Sequence, residues 1–459
     1  MDYRSSRVWI VCFHIVLSSF IFAYTFGVFN TCAVNVSATL NWGDNEDLYV
    51  TLFSTFVPVG SFFGAMVTGS MMNYYGRRKT TMLGDLIIVL SSIITVIPFT
   101  PTFGIGRFCS GFVAGIFLTA APNFVNEISP DEMIPKVGPL VQIAASIGFI
   151  FSYAFGLPLP NSDYNSNSFN NWWIFMFLFP GFVALYQFCF FAFYFKQDTP
   201  LWLFQKNKKQ EAMVTLRYIY TDEGMQKGIE RFSAYDNNNN EKSSDKKISS
   251  VTYKDLFTKR KFRKMVRIGI LLGIIQQVSG INAGIFYSTQ IFKELGGGDF
   301  MSKLYTLITS IVFMIASLVT IPLLSKYGRR PMLISGQILL AIDLIFLGIV
   351  TIIGGVNVAV LVIGVILIYI IFAYSLGGTL WVYLGEICNE KALTVSATVN
   401  LLLVCAVVAG FPITVRYLGI SYAFFFFGGC MVISTIYCFF DIIETKGKTK
   451  PEILRKICA

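Results

Sequence analysis

Charge is scarce in this chain: of 459 residues only 14% are Asp, Glu, Lys or Arg, and histidine occurs once, as His14. Soluble domains carry about a quarter charged residues, so the shortage excludes a soluble protein of this length. The lone histidine excludes histidine-rich metal chemistry. Nine cysteines without a CxxC pair read as small buried hydrophobes, not as a disulfide framework or a metal site. No Walker-type loop is present, which speaks against ATP coupling, and no nucleophile–base or metal constellation marks an enzyme. Neither a cofactor nor a metal is expected. A formal charge of +10 would suggest nucleic acid as a partner of a soluble protein, but here it has a simpler cause.

What the chain has in its place is apolar residues, 54% of the total with 16% aromatic, at a mean hydropathy of +0.63. Runs near the length of a bilayer crossing recur at about 8–34, 48–73, 80–99, 103–126, 136–158, 170–195, 264–292, 302–325, 331–353, 357–386, 392–416 and 419–441. Twelve transmembrane helices are expected, giving an all-α membrane protein. The first run is long, lacks a small-residue cleavage site and continues into the bundle pattern, so it is no cleavable signal peptide.

With both termini inside, all the Lys and Arg fall on the cytoplasmic side except Arg107, Lys293, Lys303 and Arg416. This asymmetry explains the net charge and orients the chain. The stretch 161–171 on the other side has no cation, and Asn35-Val-Ser37 on that side is a glycosylation sequon. The expected organisation is a first six-helix half, 1–195, a cytoplasmic linker, 196–263, a second six-helix half, 264–441, and a cytoplasmic tail, 442–459. Within the linker, Pro200 to Tyr220 and Tyr253 to Lys264 read as amphipathic surface helices around a tract of Asn237 to Asn240 and Lys, Ser and Asp up to Ser250.

The halves repeat each other. Asn73-Tyr-Tyr-Gly-Arg-Arg-Lys79 lies between spans two and three, and Ser325-Lys-Tyr-Gly-Arg-Arg-Pro331 between spans eight and nine. Asn126-Glu-Ile-Ser-Pro130 follows span four, and Gly385-Glu-Ile-Cys388 follows span ten. This is the signature of a parallel duplication, for which a channel or a membrane enzyme has no need. Arginine is permanently charged and bidentate, so Arg77 and Arg78 with Glu127, and Arg329 and Arg330 with Glu386, form a candidate network at the inner face. Asp85 is expected to join it.

Span seven holds the polar cluster. On a regular helix Gln276, Ser279, Asn282 and Phe286 share one face, and Gln277 points away unless Gly280 breaks the helix. Amides are costly in lipid and both donate and accept, so this face suits either a ligand made of hydroxyl groups or a neighbouring helix.

Together, Tyr75-Gly-Arg-Arg78, Gly106-Arg-Phe108 leading through Pro122 to Glu127-Ile-Ser-Pro130, Gln276-Gln-Val-Ser-Gly-Ile-Asn-Ala283, Tyr327-Gly-Arg-Arg330 and Glu444-Thr-Lys-Gly-Lys448 resemble the sugar porter family of the major facilitator superfamily. Within it the chain looks most like the facilitative hexose transporters of animals. The resemblance implies the major facilitator fold and a sugar site formed by Gln142, Gln276, Gln277, Asn282 and Trp381, with Phe22 and Phe372 beside it and Phe286 and Tyr287 as the outer gate. An aromatic plate such as Trp381 can pack on the C–H face of a sugar.

Several positions depart from the family pattern. Phe313 stands where span eight would carry an asparagine, and Ala373 where a glutamate is usual. Gly377-Gly-Thr-Leu-Trp381 lacks the prolines before the tryptophan. The loop arginines are replaced by Lys136 and Lys391, which supply charge without the fork. No Asn-Trp pair is placed in span eleven, and Gly273-Ile-Ile275 occupies the tripeptide associated with glucose over fructose preference. The implied function is facilitative hexose transport, most simply of D-glucose, across a plasma membrane, with the sugar and the lipid bilayer as partners and no nucleic acid. In proton-linked members a carboxylate follows the span-one tyrosine; this chain has Ala23-Tyr-Thr25, and a hydroxyl does not titrate. Asp343 in span nine keeps open a proton-linked sugar or polyol symporter, and a non-transporting sugar sensor is the other alternative.

Overall fold

The computed structural model describes residues 2–160, 171–233, 253–388, 390–448 and 452–453; the cation-free stretch 161–170 and the linker tract 234–252 lie outside them. Among the described residues eleven helical stretches are long and apolar enough to cross a membrane. In the first half these are span one Ser5–Leu40, span two Gly43–Tyr75, span four Thr100–Ile128, span five Ile134–Ala154 and span six Trp172–Tyr194. In the second half they are span seven Phe262–Glu294, span eight Asp299–Tyr327, span nine Arg329–Ile353, span ten Val358–Ile387, span eleven Lys391–Leu418 and span twelve Ile420–Asp441.

The twelfth crossing helix, span three, is Arg77–Thr95. It falls short on apolarity because its first turn carries Arg77, Arg78 and Lys79 and its buried face holds Asp85 together with Thr80, Thr81, Ser91, Ser92 and Thr95. Among the described residues the only β pairing is an isolated bridge between Tyr3 and Tyr220.

Close backbone approach holds the first half together. Gly60 and Gly64 in span two face span four, whose Gly111 and Gly115 face back, and a Cβ on any of the four would stand no more than 2.3 Å from a backbone oxygen. Lipid offers no hydrophobic drive between helices, so such small-residue contact is what dispersion can use.

The N-terminal residues, the described linker helices, the Gly-Arg-Arg loops and the tail residues 442–448 gather at one end of the bundle, called here the basic end. Linker helices Pro200–Gln205, Lys209–Ile219 and Met225–Ser233 lie against the first half. Trp202 Nε1 donates to Asn73 O at 3.1 Å, Arg231 Nη2 to Asn126 O at 3.2 Å, and the amide of Arg4 to Ile219 O at 2.7 Å. Ala212, Leu216 and Ile219 form the buried face of the second linker helix, as its amphipathic pattern requires.

Candidate functional site

Gly280 adopts φ +81°, a left-handed conformation that ends the helix Arg260–Gln277 and lets a second one, Ile281–Glu294, begin. The break turns Gln277 and Asn282 toward each other, and Asn282 Nδ2 donates to Gln277 Oε1 at 2.5 Å. Among the described residues nothing else bonds the pair, so Gln277 Nε2 and Asn282 Oδ1 remain as a donor and an acceptor. The broken-helix alternative is therefore the one the chain adopts.

Gln276 points elsewhere. Its Nε2 donates to Leu376 O at 2.9 Å and its Oε1 accepts from Asn400 Nδ2 at 2.8 Å. Asn400 also donates to Gly273 O at 2.9 Å, so span eleven clamps span seven one turn before the break. Leu376 lies in a π-helical turn, Ala373–Gly377, that interrupts span ten. Such a turn shifts the carbonyls out of their i+4 pairing. The irregularity that prolines would impose is supplied here by this turn together with Gly377 and Gly378, just before the half-buried Trp381.

Phe372 is buried and tilts against Phe313 at 6.4 Å between ring centroids, so the phenylalanine in place of a span-eight amide belongs to an aromatic cluster with Tyr369. Phe22 stands 4.7 Å from Phe26, which in turn meets Phe286 of span seven at 5.4 Å. Gln142 is exposed, near the basic-end start of span five. Tyr287 breaks the helical geometry of span seven again (φ −134°) while its hydroxyl donates to Val408 O at 2.9 Å and its ring stacks on Phe411.

The far end, opposite the basic end, is sealed between the halves. Asn30 Nδ2 donates to Ile285 O at 2.9 Å and to Ser288 Oγ at 2.7 Å, and Asn30 Oδ1 accepts the amide of Thr289 at 3.1 Å. Tyr153 adds a bond to Ile285 O at 2.9 Å, Lys303 one to Leu159 O at 3.0 Å, and Arg416 pairs with Asp47 at 3.5 Å. Asn30, Tyr153 and Asn400 were missed by sequence reasoning; their signal was only that each is polar inside an apolar span.

At the basic end the two Arg–Glu networks each stay within one half. Arg77 donates through Nε and Nη2 to Glu127 Oε1 at 2.9 and 2.7 Å, and Arg329 to Glu386 Oε1 at 3.1 and 2.6 Å. Arg78 and Arg330 turn away from these glutamates. Arg78 caps the last carbonyls of span six, Phe191 O at 2.8 Å and Phe195 O at 2.9 Å, and Arg330 reaches Phe439 O of span twelve at 2.9 Å. Helix C-termini leave carbonyls without partners, which a second glutamate contact would not satisfy. Lys136 is exposed, and Lys391 is half-buried at the start of span eleven.

A third repeated element completes each network. Asp198 accepts the amides of Arg77 at 3.0 Å and Arg78 at 3.2 Å; Glu444 accepts those of Arg329 at 3.1 Å and Arg330 at 3.0 Å. Each carboxylate sits at a helix N-terminus, where it complements the dipole. Gly76 and Gly328 share φ +92°, and a Cβ on either would come within 2.7 Å of that carboxylate, so the loop glycine is doubly required. The sequence signal was an acidic residue followed by threonine just after the last span of each half. Burial pushes the Asp198 carboxyl up to about 6, against its backbone donors. Burial also acts on Glu444, but four backbone N–H donors outweigh it and hold this carboxyl below its usual range.

Asp85 does not join the network. Among the described residues neither of its oxygens has a partner, and it is fully buried. It lies eight residues along span three from Arg77, about 12 Å, so the arginines at the first turn are out of reach. Asp343 is buried within span nine, and among the described residues its Oδ2 has no partner.

The comparisons agree with this architecture. A family model described as "Sugar (and other) transporter" matches residues 11–456. Hexose transporter 1 of Plasmodium knowlesi is 25% identical over 452 residues, covering 94% of this chain and 89% of that protein. A glucose transport protein of Synechocystis is 28% identical over 453 residues, covering 93% of each. Among solved structures, the xylose transporter XylE of E. coli in an inward-open conformation superposes with a TM-score of 0.80 at 20% identity, covering 98% of this chain and 99% of that one. The chain therefore belongs to the sugar transporter family of the major facilitator superfamily and is a multi-pass membrane sugar transporter.

Proposed function

We propose that this protein carries a hexose, D-glucose first, across the membrane as a uniporter working by alternating access. The observation that carries the reading is the Gln277–Asn282 pair at the break of span seven. Its free donor and acceptor stand side by side, and a sugar hydroxyl both accepts and donates. Trp381, Gln142, Phe22 and Phe372 belong to the same reading as further contacts, and Phe286 and Tyr287 as the gate. The similarity to a hexose transporter and to a glucose transport protein supports the substrate class.

In this reading the halves, 1–195 and 264–441, rock about the sugar, while 196–263 and 442–459 lie on the cytoplasmic side. The cross-half bonds at the far end, beside Arg–Glu networks at the basic end that each stay within one half, correspond in this reading to an inward-facing shape. In this reading the basic end faces the cytoplasm, as the positive-inside rule favours, and the membrane is the plasma membrane. Uniport rests on Thr25: no carboxylate stands at the span-one position where proton-linked members carry one.

Asp343 favours a second reading, a proton-linked symporter, because it is a buried carboxylate with an unpartnered oxygen. Uptake of labelled D-glucose by vesicles reconstituted with the full chain, with and without an imposed pH gradient, separates the two. Equilibration without overshoot under both conditions is expected; accumulation driven by the gradient and lost in Asp343→Asn would replace uniport by symport. Binding without uptake would leave a sugar sensor.

A further inference from the structure

Spans one, three, four and six of the first half enclose a small cavity of about 10 Å³, walled in part by Arg107, Thr25 and Ser92. It lies inside the half, away from spans seven and ten. Arg107 is 1% exposed, and its guanidinium is permanently charged. Every acceptor it has is neutral: Nη1 donates to Thr25 O at 3.0 Å and Nε to Phe53 O at 3.5 Å, while the rings of Phe29 and Phe177 lie 5.3 and 5.7 Å away. Among the described residues no carboxylate pairs with it, and Nη2 finds no acceptor at all.

A buried cation without a counter-charge is among the costlier arrangements in a membrane protein. The cavity walls suggest what offsets it. Among the described residues Thr25 Oγ1 is buried without a partner, and Ser92, buried on the same cavity, makes no side-chain hydrogen bond. Three unspent donors, one of them cationic, thus converge on a space with no carboxylate in its wall. Its volume suits about one water-sized occupant, which rules out a carboxylate or phosphate ligand.

We propose that Arg107, Thr25 and Ser92 hold one monoatomic anion, chloride in the cell, as the counter-charge of the first half. The anion is a structural ligand and not cargo, and its site is separate from the sugar site.

The test uses the purified full chain in detergent, with radiolabelled chloride binding and the thermal unfolding midpoint measured in chloride, bromide and gluconate at equal ionic strength. Saturable chloride binding and a midpoint higher in either halide than in gluconate are expected. Thr25→Asp places a carboxylate beside Arg107 and should abolish both effects while keeping the gluconate midpoint at or above that of the wild type. Ser92→Ala and Thr25→Val each remove one donor to a charged ligand and should weaken chloride binding about tenfold. Equal midpoints in the three salts with no saturable binding would overturn the proposal in favour of a bound water. So would a chloride effect that persists in Thr25→Asp, or, should that variant fail to fold, chloride binding unchanged in both Ser92→Ala and Thr25→Val.

Discussion

Asn282 donates to Gln277 Oε1 at 2.5 Å across the left-handed turn at Gly280, so two amides five residues apart act as one unit. Removing either side chain removes part of that unit. Gln277→Ala and Asn282→Ala should each weaken hexose binding by about 1 kcal/mol, roughly fivefold, with normal surface expression. The double variant should lose less than the sum, because the residues are in contact. Equilibrium sugar binding to the three variants checks this, and full additivity would separate the two amides.

Gly280→Ala strains the turn itself. A Cβ there would meet the ring of Phe427 at 2.8 Å, and the left-handed conformation costs a non-glycine residue about 1–2 kcal/mol. The expected outcome is a lower unfolding midpoint together with weaker sugar binding, since the strain is relieved by separating Gln277 from Asn282. A variant that is destabilised yet binds normally would show that the amide pair does not depend on the break.

Asn30 makes three bonds to the far-end half of span seven. Asn30→Ala should shift the molecule toward the shape open at that end. A cysteine introduced at Ser288 should then react faster with a membrane-impermeant probe added from the far side; equal rates in the two backgrounds would deny Asn30 a gating role.

The two helix-capping carboxylates should respond to pH with opposite sign. Asp198 is raised from an ordinary 3.8 to about 6, so its stabilising contribution belongs to the protonated form, is complete below 3.8 and is lost as pH rises through about 6. Glu444 is lowered, so its contribution is present above the ordinary 4.5 and is lost only as pH falls below that. Between about pH 5 and about pH 7.5 the wild-type midpoint should therefore fall relative to Asp198→Asn, and its offset from Glu444→Gln should stay constant. Parallel curves for the Asp198 pair would mean that the carboxyl titrates below this window.

In the far-end seal and the basic-end networks, partner choice was the part the sequence left open. Arg77 and Arg78 are adjacent and chemically identical, yet one turns to Glu127 and the other to the carbonyls of span six, because successive residues on a helix point about 100° apart. Span three was legible as a crossing helix despite its charged first turn and buried hydroxyls, and the eight residues between Arg77 and Asp85 were legible too, whereas the full burial of Asp85 depended on which face of that helix packs inward. The amides of span seven were legible as a cluster. That Gln276 is held by Asn400 and Leu376 depended on the crossing of spans seven, ten and eleven.

By itself the sequence determined what is local and periodic: the crossing helices, the basic end, the duplicated loops and the polar interruption of span seven. Those follow from hydrophobic length, charge asymmetry and residue spacing, which need no knowledge of neighbours. Only the tertiary structure decided which polar group meets which. In a bundle where every helix is apolar, faces are distinguished by close packing and by a few interhelical hydrogen bonds, and those exist only once the helices have crossed.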